Sequence, residues 1–226
     1  SPELTCSLAF CIWRYRVTFK GPGGHSWGAF GSSHPAHALG RAITLFDERA
    51  DAFTREGART SYSVGRIGGG TSVNSIPFEA WMEVDMRSES QERLMEIDSI
   101  FRATMHDALA AQNAVTRRGP ALEVEIELVG DRPSGETALD APLLRRTIAA
   151  TRFFGDEPTL TRSSTDANVP ISLGIPAVTI SRGGLGGRAH SLDEFWVNRD
   201  GPRAIKRAVL LLLAEGGMAE GKVSAR

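Results

Sequence analysis

Apolar and polar residues alternate in four stretches of the first 130 residues of the chain. A period of two places successive side chains on opposite faces and is typical of half-buried β-strands. The clearest stretch is 78–87, where every second residue from Ala80 to Met86 is apolar. The four predicted strands cover residues 14–20, 62–67, 78–87 and 122–129.

Two other stretches of this region repeat their apolar residues at helical spacing. Residues 34–53 follow two serines that can cap a helix, and residues 91–112 carry acids in their first turn. The element order is therefore strand, helix, strand, strand, helix, strand. This order predicts the α/β (α+β) class, with a ferredoxin-like β-α-β-β-α-β domain that places both helices on one face of an antiparallel sheet.

An open four-stranded sheet leaves the backbone groups of its two edge strands unpaired. Pairing with a second copy satisfies those groups through a self-complementary contact. The sequence therefore predicts a homodimer formed through residues 14–130, with its contact between about Ser33 and Ile67.

Residues 131–215 change to an alternation of helices and short strands, which is typical of a parallel sheet covered by helices. Helices are predicted at 141–153, near 166 and at 202–213, and strands at 159–160 and 177–181. Two strands do not make a stable sheet on their own, so this region is predicted to be one part of an α/β domain. Residues 1–13 stay unassigned, and the tail 216–226 is expected to be disordered.

The composition excludes several classes of partner. The chain has 226 residues, 41% hydrophobic residues, a formal net charge of -1 and no basic block. Nothing therefore indicates binding to nucleic acid or to a membrane surface. The apolar stretch Leu8–Trp13 is too short to span a bilayer, and Cys6 and Cys11 are interpreted as reduced thiols. We expect a cytoplasmic protein.

The last third of the chain carries the candidate chemistry. A polar turn around Ser164 precedes a predicted buried strand, and a glycine-rich loop after that strand leads to His190. Loops after buried strands are where α/β enzymes place reactive groups, and glycine allows close approach of the backbone to a ligand. A histidine in such a loop can hold a metal, move a proton or donate a hydrogen bond.

Six short motifs occur in a fixed order along the chain. They are Gly23-Gly24-His25-Ser26, Gly69-Gly70, Val73-Asn74-Ser75-Ile76-Pro77, Val84-Asp85-Met86-Arg87, Ser163-Ser164-Thr165-Asp166-Ala167, and Ala189-His190-Ser191 with Glu194. In this order the chain resembles the M20 family of zinc-dependent metallopeptidases and amidohydrolases, over residues 14 to about 215. The resemblance implies a dimerisation domain at 14–130 and the C-terminal part of a catalytic domain at 131–215.

The resemblance also implies roles for single residues. His190 would be a ligand of a two-zinc site, with its tautomer fixed by Glu194 or by a backbone group. His25 would reach the active site of the partner subunit and stabilise the oxyanion formed at the scissile carbonyl. Arg87 would bind a substrate carboxylate, with Asn74 as an amide donor beside it. The substrate pocket would be lined by Ser163, Ser164, Thr165 and Gly184.

The chain departs from this family in its metal ligands. It contains no His-x-Asp segment and no adjacent pair of glutamates, and its first fourteen residues carry only Glu3 as an acid. A two-zinc hydrolase needs about five ligands and a general base. We therefore expect an M20-type hydrolase of amide bonds in N-acyl amino acids or small peptides that is incomplete in this chain, which alone binds no zinc tightly.

Two other functions stay open on the sequence. A metal-independent hydrolase could use Ser164 as a nucleophile with His25 or His190 as its base, although no Gly-x-Ser-x-Gly segment surrounds that serine. The chain could also be a dimerising module without catalytic activity.

Overall fold

The computed structural model describes residues 3–217, and it describes side chains from Ala9 onward. The chain divides into two compact units. Phe10–Ser134 forms one, and residues up to Ala9 together with those from Gly135 onward form the other. We call them the sheet–helix unit and the terminal unit.

The chain order of the elements is as follows. Strands β1 to β12 cover Glu3–Ala9, Cys11–Lys20, Gly24–His25, Thr60–Gly69, Ser75–Ile76, Glu79–Ser88, Glu123–Arg132, Gly135–Glu136, Pro158–Ser163, Thr179–Ile180, Leu185–Gly187 and Phe195–Val197. Helices α1 to α5 cover Pro35–Thr54, Gln91–Ala114, Pro142–Phe153, Asn168–Ser172 and Gly201–Gly216.

The sheet–helix unit has the predicted β-α-β-β-α-β order. Its four long strands form an antiparallel sheet in the order β4-β6-β2-β7, so the predicted ferredoxin-like class is confirmed. Both helices pack on the same face, because one core cluster joins their apolar residues with those of the sheet. The largest buried side chains of this core include Tyr15, Phe19, Phe46, Met82 and Phe101.

The opposite face of this sheet carries charged side chains in place of a second layer. Glu83 pairs with Arg16 at 2.9 Å and with Arg66 at 2.8 Å, and Arg16 also lies over the ring of Trp81. The period of two thus separates an apolar face under the helices from an ion-paired face.

The terminal unit has a small mixed sheet built around β1. This strand pairs in parallel with β9, and on its other side antiparallel with β10 and then β8. The sequence left residues 1–13 unassigned, yet they include this central strand and the start of β2. The pairing partners of β1 lie more than a hundred residues away, so no local pattern identifies this strand. The expected disorder of the tail concerns residues 218–226 mainly, which lie outside the described residues.

None of the helices in residues 3–217 is long and apolar enough to cross a membrane.

The two tyrosines of the chain give a test of this fold. Burial raises the pKa of Tyr15 to about 12, helped by a hydrogen bond with Asp98, and burial raises that of Tyr62 to about 12, helped by Asp47. The pKa of each tyrosine is higher in the folded chain than the value of about 10 in the unfolded chain. The stability that comes from burying the neutral phenols is therefore fully present below pH 10 and is lost as pH rises toward 12.

We expect tyrosinate absorbance to appear about one to two pH units higher in the folded chain than in denaturant. The Asp47→Asn variant should lower the midpoint of one tyrosine and leave the other unchanged. The structure would be contradicted if the folded wild type showed half of its tyrosinate absorbance change near the midpoint of the unfolded chain.

Candidate functional site

The loops around His25 and Asn74 meet at one end of the sheet–helix unit. Strand β3 pairs with β5, so His25 lies opposite Ser75. The backbone N–H of Ser26 donates to the carbonyl of Asn74 at 2.8 Å. Gly24 adopts a φ of 146°, a conformation that side chains rarely allow, and this turns the chain into β3. Two predicted site residues 49 positions apart are thereby brought together.

The hydrogen bonds of His25 fix which ring nitrogen can donate. Its Nδ1 accepts from the backbone N–H groups of Trp27 at 3.3 Å and Gly28 at 3.4 Å. The proton of a neutral imidazole therefore lies on Nε2. The His25 side chain is exposed, and no acceptor for Nε2 is found among the described residues, so this N–H can donate to a bound molecule.

Asn74 is oriented in a similar way. Its Oδ1 accepts from the Ser72 hydroxyl at 2.7 Å, which leaves the side-chain NH₂ as its second polar group. Both residues thus offer N–H donors from neighbouring loops. Two such donors can stabilise a developing negative charge on an oxygen atom.

Arg87 lies far from these loops. It is near the end of β6 that pairs with Ile12, whereas His25 follows the end of β2 that pairs with Glu79. Eight residues of strand, about 27 Å at about 3.4 Å per residue, separate the two ends. The Arg87 guanidinium donates to the Asp85 carboxylate at 2.5 and 3.2 Å. Within the sheet–helix unit, Arg87 therefore does not join His25, and its role as a carboxylate ligand stays a prediction.

Asp85 holds two arginines on this face. Burial raises its pKa, but hydrogen bonds from Arg87 and Arg14 outweigh that effect, so the pKa of Asp85 lies below its usual range. The carboxylate is ionised at neutral pH and neutralises part of the charge that Arg87 would offer to a substrate.

The serine-rich turn follows β9 in the terminal unit. The Thr165 hydroxyl lies 2.7 Å from that of Thr179, and its backbone N–H donates to the buried Asn168 at 2.9 Å. The hydroxyl oxygen of Ser164 is buried, and no group in the described part of the chain hydrogen-bonds to it. Ser163 ends β9, opposite Ala9. Among the described residues, no imidazole hydrogen-bonds to Ser164 to activate it.

The glycine-rich loop forms a hairpin, β11–β12. Gly184 has a φ of 79°, and a Cβ there would lie 2.6 Å from the indole nitrogen of Trp196 and 2.7 Å from the carbonyl of Val197. The indole N–H donates to the carbonyl of Gly183 at 3.2 Å. Glycine is thus required at Gly184 for packing of the hairpin, and its predicted contact with substrate stays untested.

His190 lies in the turn of this hairpin with a left-handed backbone. Its φ is 64°, and that of Arg188 is 56°. The Glu194 carboxylate accepts from the backbone N–H of His190 at 2.9 Å. Glu194 therefore fixes the backbone of the turn, and the exposed imidazole is left free to turn toward a ligand. Non-glycine residues in this conformation cluster at functional sites, where surrounding contacts hold them.

These residues do not by themselves fit a zinc site. Where side chains are described, no three or more His, Cys, Asp or Glu residues lie close enough together to hold a metal ion. Zinc takes three or four such ligands, and a two-zinc centre more. His190 is a suitable single ligand, so further ligands would have to come from elsewhere.

His34 and His37, which carry no role in the sequence analysis, lie together in the structure. Their rings stack at the start of α1 with centroids 3.8 Å apart and an angle of 6° between planes. Burial lowers the pKa of His34, and the charge of His37 lowers it further. The i,i+3 spacing was the available signal, since it places both on one side of a helix.

Comparison with known proteins identifies the domain that carries the His25 and Asn74 loops. Residues 9–113 match the family model of the peptidase dimerisation domain, M20_dimer. Residues 9–113 form an M20 dimerisation domain. The resemblance found in the motifs is thereby confirmed, and the His25 and Asn74 loops lie within this M20 domain.

Solved structures with the same fold include M20-type peptidases and amidohydrolases. AtUAH in complex with (S)-hydroxyglycine has a TM-score of 0.75 and 15% identity, covering 94% of this chain and 48% of AtUAH. Aminopeptidase PepT from Bacillus cereus has a TM-score of 0.63 and 19% identity, covering 92% of this chain and 52% of PepT. An amidase of the hydantoinase/carbamoylase family from Burkholderia vietnamiensis has a TM-score of 0.67 and 17% identity, covering 92% and 47%.

The chain therefore spans about half the length of these structures. At such identities the likeness establishes the fold. No curated protein sequence matches the chain.

The backbone at His190 makes a testable prediction. We expect His190→Val to lower the free energy of unfolding of the chain by about 1–2 kcal/mol, because a β-branched residue is strained at positive φ. His190→Asn should be neutral, since asparagine tolerates this conformation. Equal stability of the two variants in urea titrations would argue against the left-handed turn.

Proposed function

We propose that the chain provides the dimerisation domain and the C-terminal part of the catalytic domain of an M20-type hydrolase. Its substrates would be N-acyl amino acids or small peptides, cleaved at an amide bond. The proposal is supported by the M20 domain and by the fold shared with an aminopeptidase and an amidase. The observation that carries it is His25, whose exposed Nε2–H is the donor that such a reaction requires.

His25 would act as a hydrogen-bond donor in the transition state. Attack on an amide carbonyl moves negative charge onto its oxygen, and a preorganised N–H stabilises that charge more than it stabilises the neutral substrate. Its Nδ1 contacts hold the ring in the donating tautomer. Asn74 would supply a second donor from the neighbouring loop.

The metal would be held together with residues that this chain does not supply. Members of this family are typically metal-dependent, and zinc activates water for attack on carbonyl groups. His190 would be one ligand, presented by its strained turn. A Ser164–His pair has less support, because its hydroxyl contacts no base in the described residues.

A homodimer would form through the free edge strand β4 and helix α1. The sheet order leaves β4 and β7 as edges. A groove between α1 and β4 is lined by side chains of both elements, including Phe46, Tyr62 and Val64. Two copies paired along β4 would satisfy its edge groups and bring each α1 beside the partner. This contact lies within the range predicted from the sequence, Ser33 to Ile67.

Sedimentation measures this assembly. We expect a dimer at micromolar concentration. The Ser63→Lys variant should weaken dimerisation about tenfold or more, because Ser63 is near the middle of β4 and its two copies would approach each other across the two-fold axis. Leu128→Lys, on the other edge strand, is the matched control and should leave the dimer unchanged. A monomeric wild type, or equal weakening by both variants, would contradict the β4 contact.

Activity tests the hydrolase proposal on the full product of the gene. We expect release of the amino acid from N-acyl amino acids or dipeptides, abolished by chelators. His25→Ala should lower kcat about 10²–10³-fold, as expected for loss of an oxyanion donor. His106→Ala, an exposed histidine on α2, should leave kcat unchanged. Hydrolysis that survives chelation and requires Ser164 would instead establish the serine hydrolase.

The 226-residue chain alone should retain well below two equivalents of zinc after dialysis, measured by atomic absorption. Close to two equivalents would show that it holds the complete site. A folded dimer without turnover in the full gene product would favour a dimerising module.

A further inference from the structure

A cavity of about 400 Å³ lies inside the sheet–helix unit, beside the His25 loop. It opens between the turn after β3, the start of α1 and the segment after α2. Phe30, Ile76 and Val115 give it apolar walls. Small-molecule sites have volumes of about 300–1,000 Å³ and combine apolar walls with a few polar groups. The cavity thus suits a small ligand.

None of the residues that line this cavity is acidic. Residues 21–46, 57–78 and 108–122 contain no Asp or Glu. The whole chain, in contrast, has 27 acidic against 26 basic residues. Near the cavity, these segments carry Arg41, Arg117 and Arg118 and the histidines His25, His34 and His37. Arg66 pairs with Glu83, and Arg59 lies at the opposite end of β4. The surroundings of the cavity are therefore positive and attract anions.

The side chain of Arg117 packs against the backbone of Gly31 at the cavity. A Cβ on Gly31, whose φ is 91°, would lie 3.3 Å from the Cβ of Arg117, so the arginine stem packs against a backbone without a side chain. The guanidinium carbon is 5.4 Å from the centre of the Phe30 ring. Many arginines of this unit pair with carboxylates, as Arg49 does with Asp107 at 2.7 Å. Among the described residues, no such carboxylate partner is found for Arg117.

Two neighbouring arginines are directed to neutral groups. Arg41 donates to the side chain of Gln112 at 3.1 Å, and Arg118 donates to the carbonyl of Gly28. Neither bond cancels the positive charge. Both arginines therefore add to the field at the cavity.

The stacked histidines complete the polar side of the cavity. His34 and His37 both line it. The Nδ1 atom of His34 is buried, and no hydrogen-bond partner is found for it in the described part of the chain. An unsatisfied buried polar atom costs free energy, which a bound group would recover.

We propose that this cavity binds a small organic anion, a carboxylate or a phosphate monoester attached to an apolar group. The anionic group contacts Arg117 and the His34–His37 pair, and the apolar part lies against Phe30, Ile76 and Val115. A planar guanidinium matches carboxylate and phosphate oxygens equally well. This site uses none of the residues assigned to hydrolysis.

The binding of four probes tests the proposal, measured by calorimetry and by the NMR signals of the histidine rings. Benzoate and phenyl phosphate carry the charge on an apolar ring, benzamide lacks the charge, and inorganic phosphate lacks the ring. We expect at least one of the first two to bind at least tenfold more tightly than benzamide and inorganic phosphate, with shifts at His34 and His37. Preference for benzoate assigns the site to carboxylates, and preference for phenyl phosphate assigns it to phosphates.

Arg117→Gln and His37→Gln should each weaken the preferred probe about tenfold, while Arg59→Gln, a control in the same unit, should not. Affinity should rise as pH falls through the lowered pKa of His34, because an anion favours the protonated form of that imidazole. The permanent charges nearby are Arg41, Arg117 and Arg118, and these do not titrate in this range. Equal binding of benzamide, or unchanged binding in folded Arg117→Gln and His37→Gln, would overturn the proposal. Its outcome is independent of turnover.

Discussion

The antiparallel pairing of β2 with β6 is the constraint on which the sheet–helix unit depends. Ten consecutive residue pairs, from Cys11 opposite Ser88 to Lys20 opposite Glu79, fix the two central strands. The chain leaves β2 at the end where it enters β6. The loop that carries His25 and the loop that carries Asn74 are therefore neighbours for a topological reason, and a one-residue slip would turn every apolar side chain of these strands to the charged face.

Charge is distributed unequally over this unit. On the open face of the sheet, arginines alternate with carboxylates, as in the pairing of Asp85 with Arg14 and Arg87, and the charges largely cancel. At the His25 end, no carboxylate is present in the segments that form the cavity. Among the described residues, no carboxylate partner is found for the Arg117 guanidinium, so it adds positive charge at the cavity, which favours the approach of anionic molecules.

The terminal unit shows a different kind of constraint. Its sheet is small, and its candidate ligand His190 is presented by a turn in which backbone strain is balanced by specific contacts. The Glu194 carboxylate accepts from the backbone of that turn, and an ion pair between Arg188 and Asp193 at 3.1 Å closes it. Strain of this kind persists only where the surrounding structure holds it, so the contacts around His190 are part of how the imidazole is presented.

The sequence by itself determined the elements whose side chains repeat at a regular spacing. Alternation in 78–87 and helical spacing in 91–112 predicted β6 and α2 to within two residues, because burial of one face imposes those periods. The order of elements then determined the ferredoxin-like class. Motif order indicated the M20 family, since such motifs combine backbone requirements with specific side chains.

Only the tertiary structure decided which distant groups meet. It joined β1 to partners beyond residue 130, aligned His25 Nδ1 with two backbone N–H groups, placed Arg87 at the far end of the sheet, and stacked His34 on His37 beside Arg117. The pairing of β1 and the place of Arg87 depend on strand pairing between segments far apart in the chain. The contacts of His25 and the stacking of His34 on His37 are local in sequence, but they depend on side-chain rotation that periodicity does not report. Local periodicity reports whether a face is buried, and it carries no information about the group that lies opposite.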